Sequence, residues 1–397
     1  MHFENYYNEH KKSQIFPKDS AKCYDRFMAT GIPTNKVESW KYTNLNTWLN
    51  AAGEVPSSSI SVEVAFKTSS ITKNTSDVSF YDYENAPAKL KANVFNLLSN
   101  VYQDDPIYQF LLSTIDKVQI IHIHAKAIVK QPILIKRAAG KNYYTIVLAD
   151  KSSHASILEI MDDQSNEKKF TQGITRVLLE DNAKVDHVVV QSLHYSQLSN
   201  IYCGADVKRD ANYTNNLLSF GASMSRNNLK IKLLESGSST ESYGLCALNG
   251  NQHNDNQTSI EHLAPHTEST QLYKGILDEK SRTIFSGIIY VAKGAQLISS
   301  NQLNKNLILS NSAHANSQPQ LEVFADDVKC AHGSTTGQLD PEQLFYFLSR
   351  AITPERARAK LSHGFCNDII EKIKNPDIRK FVNIYLNHNF TQMVSLK

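Results

Sequence analysis

The stretch "TIFSGIIYVAKGAQL", residues 283–297, joins a β-prone run to the opening of a turn. Its second half carries a loose pattern: an apolar residue, three mostly polar or small residues, a small residue, and then alternating apolar and polar residues. The pattern starts at eight positions, 25 to 33 residues apart: Ile123, Leu148, Leu179, Val207, Leu234, Leu263, Val291 and Phe324. A sustained period of about 30 residues indicates a repeat architecture.

The repeat favours a parallel β-helix over residues 116–338. Two or three short strands would fit in each repeat, and each coil would hide its inward apolar residues by stacking on its neighbours. A β-sandwich also shows short strands at regular spacing and is the alternative.

Helical signals flank this region. Residues 1–115 contain helical segments, such as residues 18–31 ending at Gly31 and a helix starting at Asp105-Pro106. The Ser- and Thr-rich tract 56–79 fits strands or a surface linker. Residues 339–397 form a C-terminal helical region, because three cap-and-proline pairs start helices there: Asp340-Pro341, Thr353-Pro354 and Asn375-Pro376.

Composition and charge exclude several protein classes. The net charge of +3 over 397 residues, with no basic run, argues against nucleic-acid binding. No apolar segment is long enough to span a bilayer, and the N-terminus lacks the apolar core of a secretion signal. The five cysteines are far apart and form no CxxC pair, which disfavours a disulfide framework. We therefore expect a soluble, cytoplasmic protein.

The strongest candidate site is Cys330-x-His332. If residues 328–332 form a strand, both side chains lie on one face. A thiolate and an imidazole could bind iron, zinc or copper, or act as a nucleophile–base pair. Two ligands do not complete a metal site, and free cysteine is often buried in a protein core. The alternative is therefore that Cys330 and His332 have only a structural role in packing.

Other candidates are weaker. Glu261, His262, His266 and Glu268 lie close in sequence, but Pro265 argues against the helix that would place both imidazoles on one face, so we expect polar residues in a turn. His122 and His124 share a strand face. Asp326 and Asp327 would point to opposite faces of a strand, and a solvated turn fits them better. Phosphate-binding loops of the G-x-x-x-x-G-K-[ST] type, G-x-S-x-G and H-E-x-x-H are all absent from the sequence.

Three stretches resemble the SufB/SufD family of iron–sulfur cluster assembly proteins. They are residues 262–296, residues 301–310, and "PQLEVFADDVKCAHGSTTGQLDPEQLFYFLSRAI" at residues 319–352. "VESWKYTNL", residues 37–45, is similar to the N-terminal signature of the SufD branch. The likeness is strongest over residues 261–352 and collinear elsewhere.

This resemblance implies a right-handed parallel β-helix between helical regions, in a non-catalytic scaffold subunit. Its partners would be a SufB-like subunit and a SufC-type ABC ATPase, with a homodimer as another state of the chain alone. The ATPase would dock on the C-terminal helices, and we expect contacts near Arg350, Ile352, Ala357, Leu361 and Phe365. His332 matches a family histidine implicated at the subunit interface. Cys330 lies in the same motif, where the family leaves its role open.

The resemblance also implies a transient iron ion or iron–sulfur cluster at that interface, with His332 as a metal ligand. It leaves open whether a flavin binds the complex, and no tightly bound cofactor is expected in the isolated chain. The chain departs from the family pattern at Ser334, Thr336, Leu348 and Ala351, while Arg350 is kept. The alternatives are the SufB-type, persulfide-accepting subunit and a β-helix carbohydrate-active enzyme.

Overall fold

The structure, a computed structural model, describes residues 3–50 and 69–395. Helices occupy both ends of this part of the chain. They are α1 Phe3–His10, α2 Pro17–Thr30, α3 Leu45–Asn50, α4 Ala88–Lys91, α5 Val94–Ser99, α6 Pro106–Leu112, α7 Pro341–Leu348, α8 Pro354–Ile370 and α9 Pro376–Ser395. Short 3₁₀ turns lie at Lys11–Ser13, Glu38–Trp40 and Tyr83–Asn85.

The middle of the chain is built of strands. They are β1 Val78–Asp82, β2 Gln119–Ile123, β3 Ile133–Arg137, β4 Asn142–Ala149, β5 His154–Asp163, β6 Phe170–Leu179, β7 Lys184–Leu193, β8 Leu198–Val207, β9 Asn212–Ser219, β10 Met224–Leu233, β11 Ser239–Leu248, β12 His253–His262, β13 Glu268–Leu277, β14 Arg282–Val291, β15 Ile298–Ile308, β16 His314–Val323 and β17 Val328–Gly337.

The strands form two sheets that run the length of a solenoid. Within the described residues, one sheet has the order β1-β2-β4-β6-β8-β10-β12-β14-β16, and the other has the order β17-β15-β13-β11-β9-β7-β5-β3. Each strand after β1 pairs in parallel with the strand one coil away, whereas β1 pairs antiparallel with β2. The predicted parallel β-helix is therefore confirmed, and the sandwich alternative is wrong.

The predicted repeat positions fall where the even-numbered strands end. Leu179, Val207 and Val291 are the last residues of β6, β8 and β14, and Leu263 and Phe324 directly follow β12 and β16. In seven of the eight turns that follow the repeat positions, the chain passes through one residue with positive φ: Lys126, Ser152, Asn182, Asp210, Gly237, His266 and Leu297. The turn after Phe324 has none. A left-handed residue allows a tight reversal of the chain. The small and polar residues of the pattern occur because they suit this turn.

The solenoid interior is held together by stacked apolar residues. One cluster lines the corner where even strands pass to odd strands, and it includes Val177, Ala205, Ile231, Ile260 and Ile289. Successive coils place these residues in register, so each buries the one before it. A coil alone would leave this face in water, which explains why the fold needs many repeats.

The predicted helix starts at the two ends are confirmed. Asp105 accepts hydrogen bonds from the backbone N–H groups of Ile107 and Tyr108. The Asp340 and Thr353 side chains cap α7 and α8 in the same way. Gly31 ends α2 with φ of 69°, and its N–H donates to the carbonyl of Phe27.

Strand β1 is an exception within the N-terminal region that was predicted to be helical. It begins inside the Ser- and Thr-rich tract 56–79, of which residues 56–68 lie outside the described residues. Ile71, in the same tract, forms an isolated parallel bridge with Ile133. Within the described part of this tract, Ile71 and residues 78–79 pair as strand, whereas residues 72–77 are irregular, so both alternatives hold in part. No helix in the described ranges is long and apolar enough to cross a membrane.

Candidate functional site

The C-terminal end of the solenoid is open. Strand β17 is the last strand of its sheet and β16 is the last strand of the other sheet. Over residues 3–50 and 69–395, the structure pairs no strand with the outer edge of either one. An unpaired edge presents a row of free N–H and C=O groups that can bind another strand.

Cys330 and His332 both lie on β17 at this open end. Cys330 is the register partner of Ser300, and His332 is the register partner of Gln302, so both side chains lie on the inward face of the sheet. Cys330 is half-buried against the apolar cluster of the interior, and burial raises the pKa of its thiol. His332 is exposed. The prediction that the two residues share one strand face is confirmed.

Cys330 and His332 cannot hold a metal ion by themselves. Among the described residues, no group of three or more His, Cys, Asp or Glu side chains is arranged to hold a metal ion. An imidazole and a thiol at the open end can supply two ligands to a soft or borderline metal ion such as iron. Further ligands would have to come from another molecule at the same edge.

An apolar rim flanks the open end. Phe324 follows β16 and is 60% exposed, and its ring lies 5.6 Å from that of Tyr290. Leu297, in the neighbouring turn, is 50% exposed. Asp326 and Asp327 lie in the exposed turn between β16 and β17, as the solvated-turn interpretation predicts.

The other histidine candidates do not form a site. His266 lies in a turn, as predicted, with φ of 57°. The turn prediction is wrong for His262, which ends β12 fully buried and hydrogen-bonds to Thr267 and Ser269. His122 and His124 have ring centroids 4.9 Å apart, but His122 pairs with Asp150 rather than with a shared ion.

Sequence reasoning missed a buried ionic cluster inside the solenoid. The Nε of Arg137 lies 2.9 Å from Glu159, and the Nε2 of His187 lies 3.3 Å from the same carboxylate. The Nδ1 of His187 lies 3.1 Å from the hydroxyl of Tyr213, which contacts the sulfur of Cys203 at 3.4 Å. Strand alternation alone could have placed Glu159 inward, since it is two residues from the buried Ile157.

The protonation states in this cluster follow from its contacts. Burial by itself raises the pKa of Glu159, but Arg137 and His187 outweigh it and lower the pKa to about 2. Burial by itself lowers the pKa of His187, but hydrogen bonds to Cys203 and Glu159 outweigh it and raise the pKa to about 9. The cluster is therefore ionised near neutral pH and lies sealed between the two sheets.

The C-terminal helices offer an exposed aromatic surface on α7. Phe345 is 71% exposed and Tyr346 is 54% exposed, with Leu348 beside them. The Arg350 guanidinium lies 4.4 Å from the Tyr346 ring centroid and extends this surface. Sequence reasoning gave Arg350 as a docking residue but missed Phe345 and Tyr346, whose exposure the sequence does not reveal.

The remaining predicted docking residues lie deeper. Ala357 is fully buried, and Ile352, Leu361 and Phe365 are half-buried. Phe365 packs against the outer apolar layer of the odd-strand sheet, and its carbonyl accepts a hydrogen bond from Lys274 of β13. Phe365 thus fixes α8 to the solenoid, whereas Phe345 and Tyr346 of α7 are exposed.

The N-terminal stretch "VESWKYTNL" clamps the outer face of the even-strand sheet. The Trp40 ring stacks on the guanidinium of Arg226 at 3.9 Å, and Arg226 forms a buried ion pair with Asp255. The Thr43 hydroxyl donates to Asp255, and Tyr42 accepts a hydrogen bond from Gln318 on β16. The segment thus spans from β10 to the last strand of its sheet.

Comparison with known sequences agrees with this architecture. The family description "SUF system FeS cluster assembly, SufBD core domain" matches residues 134–365. The chain is 26% identical to the iron–sulfur cluster assembly protein SufD of Escherichia coli over 391 residues, which cover 90% of this chain and 89% of that protein. It is 30% identical to the iron–sulfur cluster assembly SufBD family protein slr0076 of Synechocystis over 275 residues, which cover 69% of this chain and 58% of that protein. It is 26% identical to the chloroplastic protein ABCI7 of Arabidopsis thaliana, over 76% of this chain and 66% of that protein.

The fold and the open end define a parallel β-solenoid protein with helical ends, whose edge strand β17 carries Cys330 and His332. The family match covers most of the solenoid and α8, which is more than half of the chain. The chain belongs to the SufBD family of iron–sulfur cluster assembly proteins.

Proposed function

We propose that this chain is a SufD-like, non-catalytic scaffold subunit of a cytoplasmic Suf complex that assembles iron–sulfur clusters. It pairs with a SufB-like subunit through its open end and docks a SufC-type ATPase on its C-terminal helices. The observation that carries the proposal is the unpaired edge of β17, which holds Cys330 and His332 on one face. The similarity to Escherichia coli SufD along nearly the whole of both chains supports the SufD-like assignment.

The open end suits a homologous solenoid as a partner. Two parallel-strand edges of the same geometry can satisfy each other's N–H and C=O groups, and the apolar rim at Phe324 and Leu297 would be buried in the same contact. A partner's side chains would then complete a metal site together with Cys330 and His332. Iron, as the cargo of this site, would be held by the imidazole of His332, with the thiol of Cys330 as a second ligand.

The C-terminal helices suit transmission of force. The odd-strand sheet and α8 and α9 share one apolar layer, which includes Val188, Leu218, Ile369, Phe381 and Leu386. The ATPase would bind the exposed α7 surface, and any displacement of the helices would pass through this layer to the sheet that ends in β17. This arrangement needs no catalytic residue in the chain itself.

The docking proposal is tested by size-exclusion chromatography with light scattering on the chain, alone and mixed with the SufC-type ATPase of the same source. We expect a stable complex that the double variant Phe345→Ala, Tyr346→Ala loses. Ile384→Ala is the matched control, because Ile384 is a 50% exposed apolar residue on α9. A complex that forms equally well with the double variant would contradict docking on α7.

Truncation after residue 338 is a poorer test. It would remove Ile369 and Phe381 from the shared apolar layer and leave that face of the solenoid in water.

In the light-scattering experiment, the chain without partners is expected to form a homodimer through its open end.

The site is tested by His332→Ala in the assembled three-component complex, with cluster formation followed by absorbance. We expect the complex to assemble normally and cluster formation to be lost. His314→Ala is the control, because His314 is another exposed histidine and lies on the neighbouring edge strand β16. Cluster formation at the normal rate in His332→Ala would refute the role of this imidazole.

A further inference from the structure

The edge strand β16 is held at two points on its outer face. Asn316 and Gln318 are half-buried there, whereas the other residues on that face are exposed. The Nε and Nη2 of Arg282 donate to the Oδ1 of Asn316 at 3.0 Å and 2.8 Å. The Nε2 of Gln318 donates to the hydroxyl of Tyr42 at 3.0 Å. Side-chain contacts therefore fix β16 in addition to its backbone pairing with β14.

Both contacts meet at Tyr42. The Arg282 guanidinium lies 5.7 Å from the centroid of the Tyr42 ring, close enough for a cation–π contact. The ring thus contacts Arg282 on β14, while the hydroxyl of the same side chain accepts from Gln318 on β16. One side chain from the N-terminal region therefore connects the last two strands of the even-strand sheet.

The neighbours of Tyr42 fix it to the earlier coils. The buried ring of Trp40 stacks on the guanidinium of Arg226, on β10, at 3.9 Å. The buried hydroxyl of Thr43 donates to the carboxylate of Asp255, on β12, at 2.5 Å. The stretch from Trp40 to Thr43, here called the strap, therefore contacts four successive strands of one sheet and ends at its last strand.

Pairing with a further strand is weakened at the outer edge of β16. The N–H of His314 donates to the carbonyl of Ser281, on the β14 side, and the N–H of Phe324 also points to that side. Because alternate residues of a parallel strand bond to opposite neighbours, the odd-numbered residues of β16 face the outer edge. Pro319 is one of them, so this edge lacks an N–H donor near its middle. A partner therefore gains less ladder energy with which to straighten a displaced β16.

We infer that the strap is a positioning element for the partner-binding end: Tyr42, through Gln318 and Arg282, holds β16 where a second solenoid can dock against it. This inference rests on the proposed function, because it takes the partner to be a homologous solenoid at the open end. An edge strand held on one side only would fluctuate, and a partner would have to order it during association. It also gives a role to "VESWKYTNL", which contains the whole strap and which the proposed function leaves without one.

The strap is tested first without any partner, by amide hydrogen exchange on the full chain at a concentration where light scattering shows a monomer. Tyr42→Phe keeps the ring and removes the hydroxyl that accepts from Gln318. We expect the amides of β16 to exchange roughly fivefold faster, because one hydrogen bond is lost, and those of β10 to keep their rate. Tyr290→Phe is the matched control, because Tyr290 lies on the neighbouring β14 and its hydroxyl makes no hydrogen bond to the part of the chain that the structure describes.

Association of the chain with itself is then measured by light scattering across a dilution series. We expect Tyr42→Phe to raise the dissociation constant of the dimer roughly fivefold, and Gln318→Met to raise it by a similar factor. In the double variant the two effects should not add, because both substitutions remove the same hydrogen bond. A substitution that only loosened the fold would add its effect to that of Gln318→Met, so the double variant separates a positioning role from a general structural one.

An unchanged exchange rate in β16, or an unchanged dissociation constant, in Tyr42→Phe would overturn the inference. Equal changes in Tyr290→Phe, or full additivity in the double variant, would overturn it as well. Failure of the proposed function gives a different result, because the exchange measurement needs no partner. Faster exchange of β16 in a chain that binds neither itself nor a SufB-like subunit would confirm that the strap holds β16 and would refute the proposed function.

Discussion

Replacing Glu159 by Gln should destabilise the solenoid in a pH-dependent way. In the native chain, the Glu159 carboxylate lies between Arg137 and His187 with 2% of its side chain exposed. The Gln amide can still accept a hydrogen bond from Arg137. Its NH₂ group, however, would face the proton on His187, so the imidazole must lose that proton or its partner. A buried imidazolium without an anion is strongly disfavoured.

The size of the effect follows from the pKa of His187, which the cluster raises from 6.5 to about 9. Because the folded pKa lies above the unfolded one, the stabilisation is fully present below pH 6.5 and is lost as the pH rises through 9. Each pKa unit corresponds to about 1.4 kcal/mol, so the protonated imidazole contributes about 3 kcal/mol. Glu159 itself has a lowered pKa, and its contribution is lost only as the pH falls below 4.5 toward 2.

The assay is guanidinium unfolding followed by circular dichroism at pH 6, 7.5 and 9.5. Because Cys203 shares in the raised pKa of His187, we expect Glu159→Gln to lose at most about 3 kcal/mol at pH 6, and clearly less at pH 9.5, where the native imidazole has also lost its proton. His187→Asn should abolish the pH dependence of the native chain in the same window. An equal loss for Glu159→Gln at all three pH values would refute the reasoning, since it would show that packing and not charge dominates.

Two further substitutions test other parts of the fold. Lys274→Met removes the buried ammonium that binds the carbonyl of Phe365 and the Asp368 carboxylate. We expect it to lower the free energy of unfolding by about 1–2 kcal/mol and to speed hydrogen exchange in α8. Unchanged exchange in α8 would contradict the anchoring role of Lys274. Gly244→Ala places a Cβ 2.2 Å from the enclosed ring of Tyr273 in the next coil. We expect the melting temperature of this variant to fall by several degrees. A melting temperature equal to that of the native chain would show that the ring moves freely.

The architecture could be predicted because its signals are local and repeated. A turn that needs one left-handed residue, as in seven of the eight predicted repeats, favours small and polar residues, and inward positions need apolar residues at the same phase. Leu179, Val207 and Val291 were therefore placed correctly without any knowledge of strand pairing. Strand β1 could be predicted only as one of two alternatives, because it pairs antiparallel with β2 outside the repeat and its Ser- and Thr-rich surroundings carry no such phase.

The candidate site could be predicted in part. The shared face of Cys330 and His332 follows from strand alternation alone, but the openness of the edge depends on β17 being the last strand in its sheet. The exposed rings of Phe345 and Tyr346 could not be foreseen, since an apolar residue on an amphipathic helix is expected to pack inward. The buried pair of Glu159 and His187 was missed because charged residues in a strand are taken to face water.

The antiparallel pairing of β1 makes the two ends of the rod unequal. At the N-terminal end, β1 occupies the outer edge of β2, and the bridge at Ile71 occupies that of β3. A rod that could add partners at both ends would polymerise into a fibre, which is the usual hazard of stacked parallel strands. The two ends differ in strand direction and strand length, so a contact that pairs two C-terminal edges joins like with like and stops at two chains.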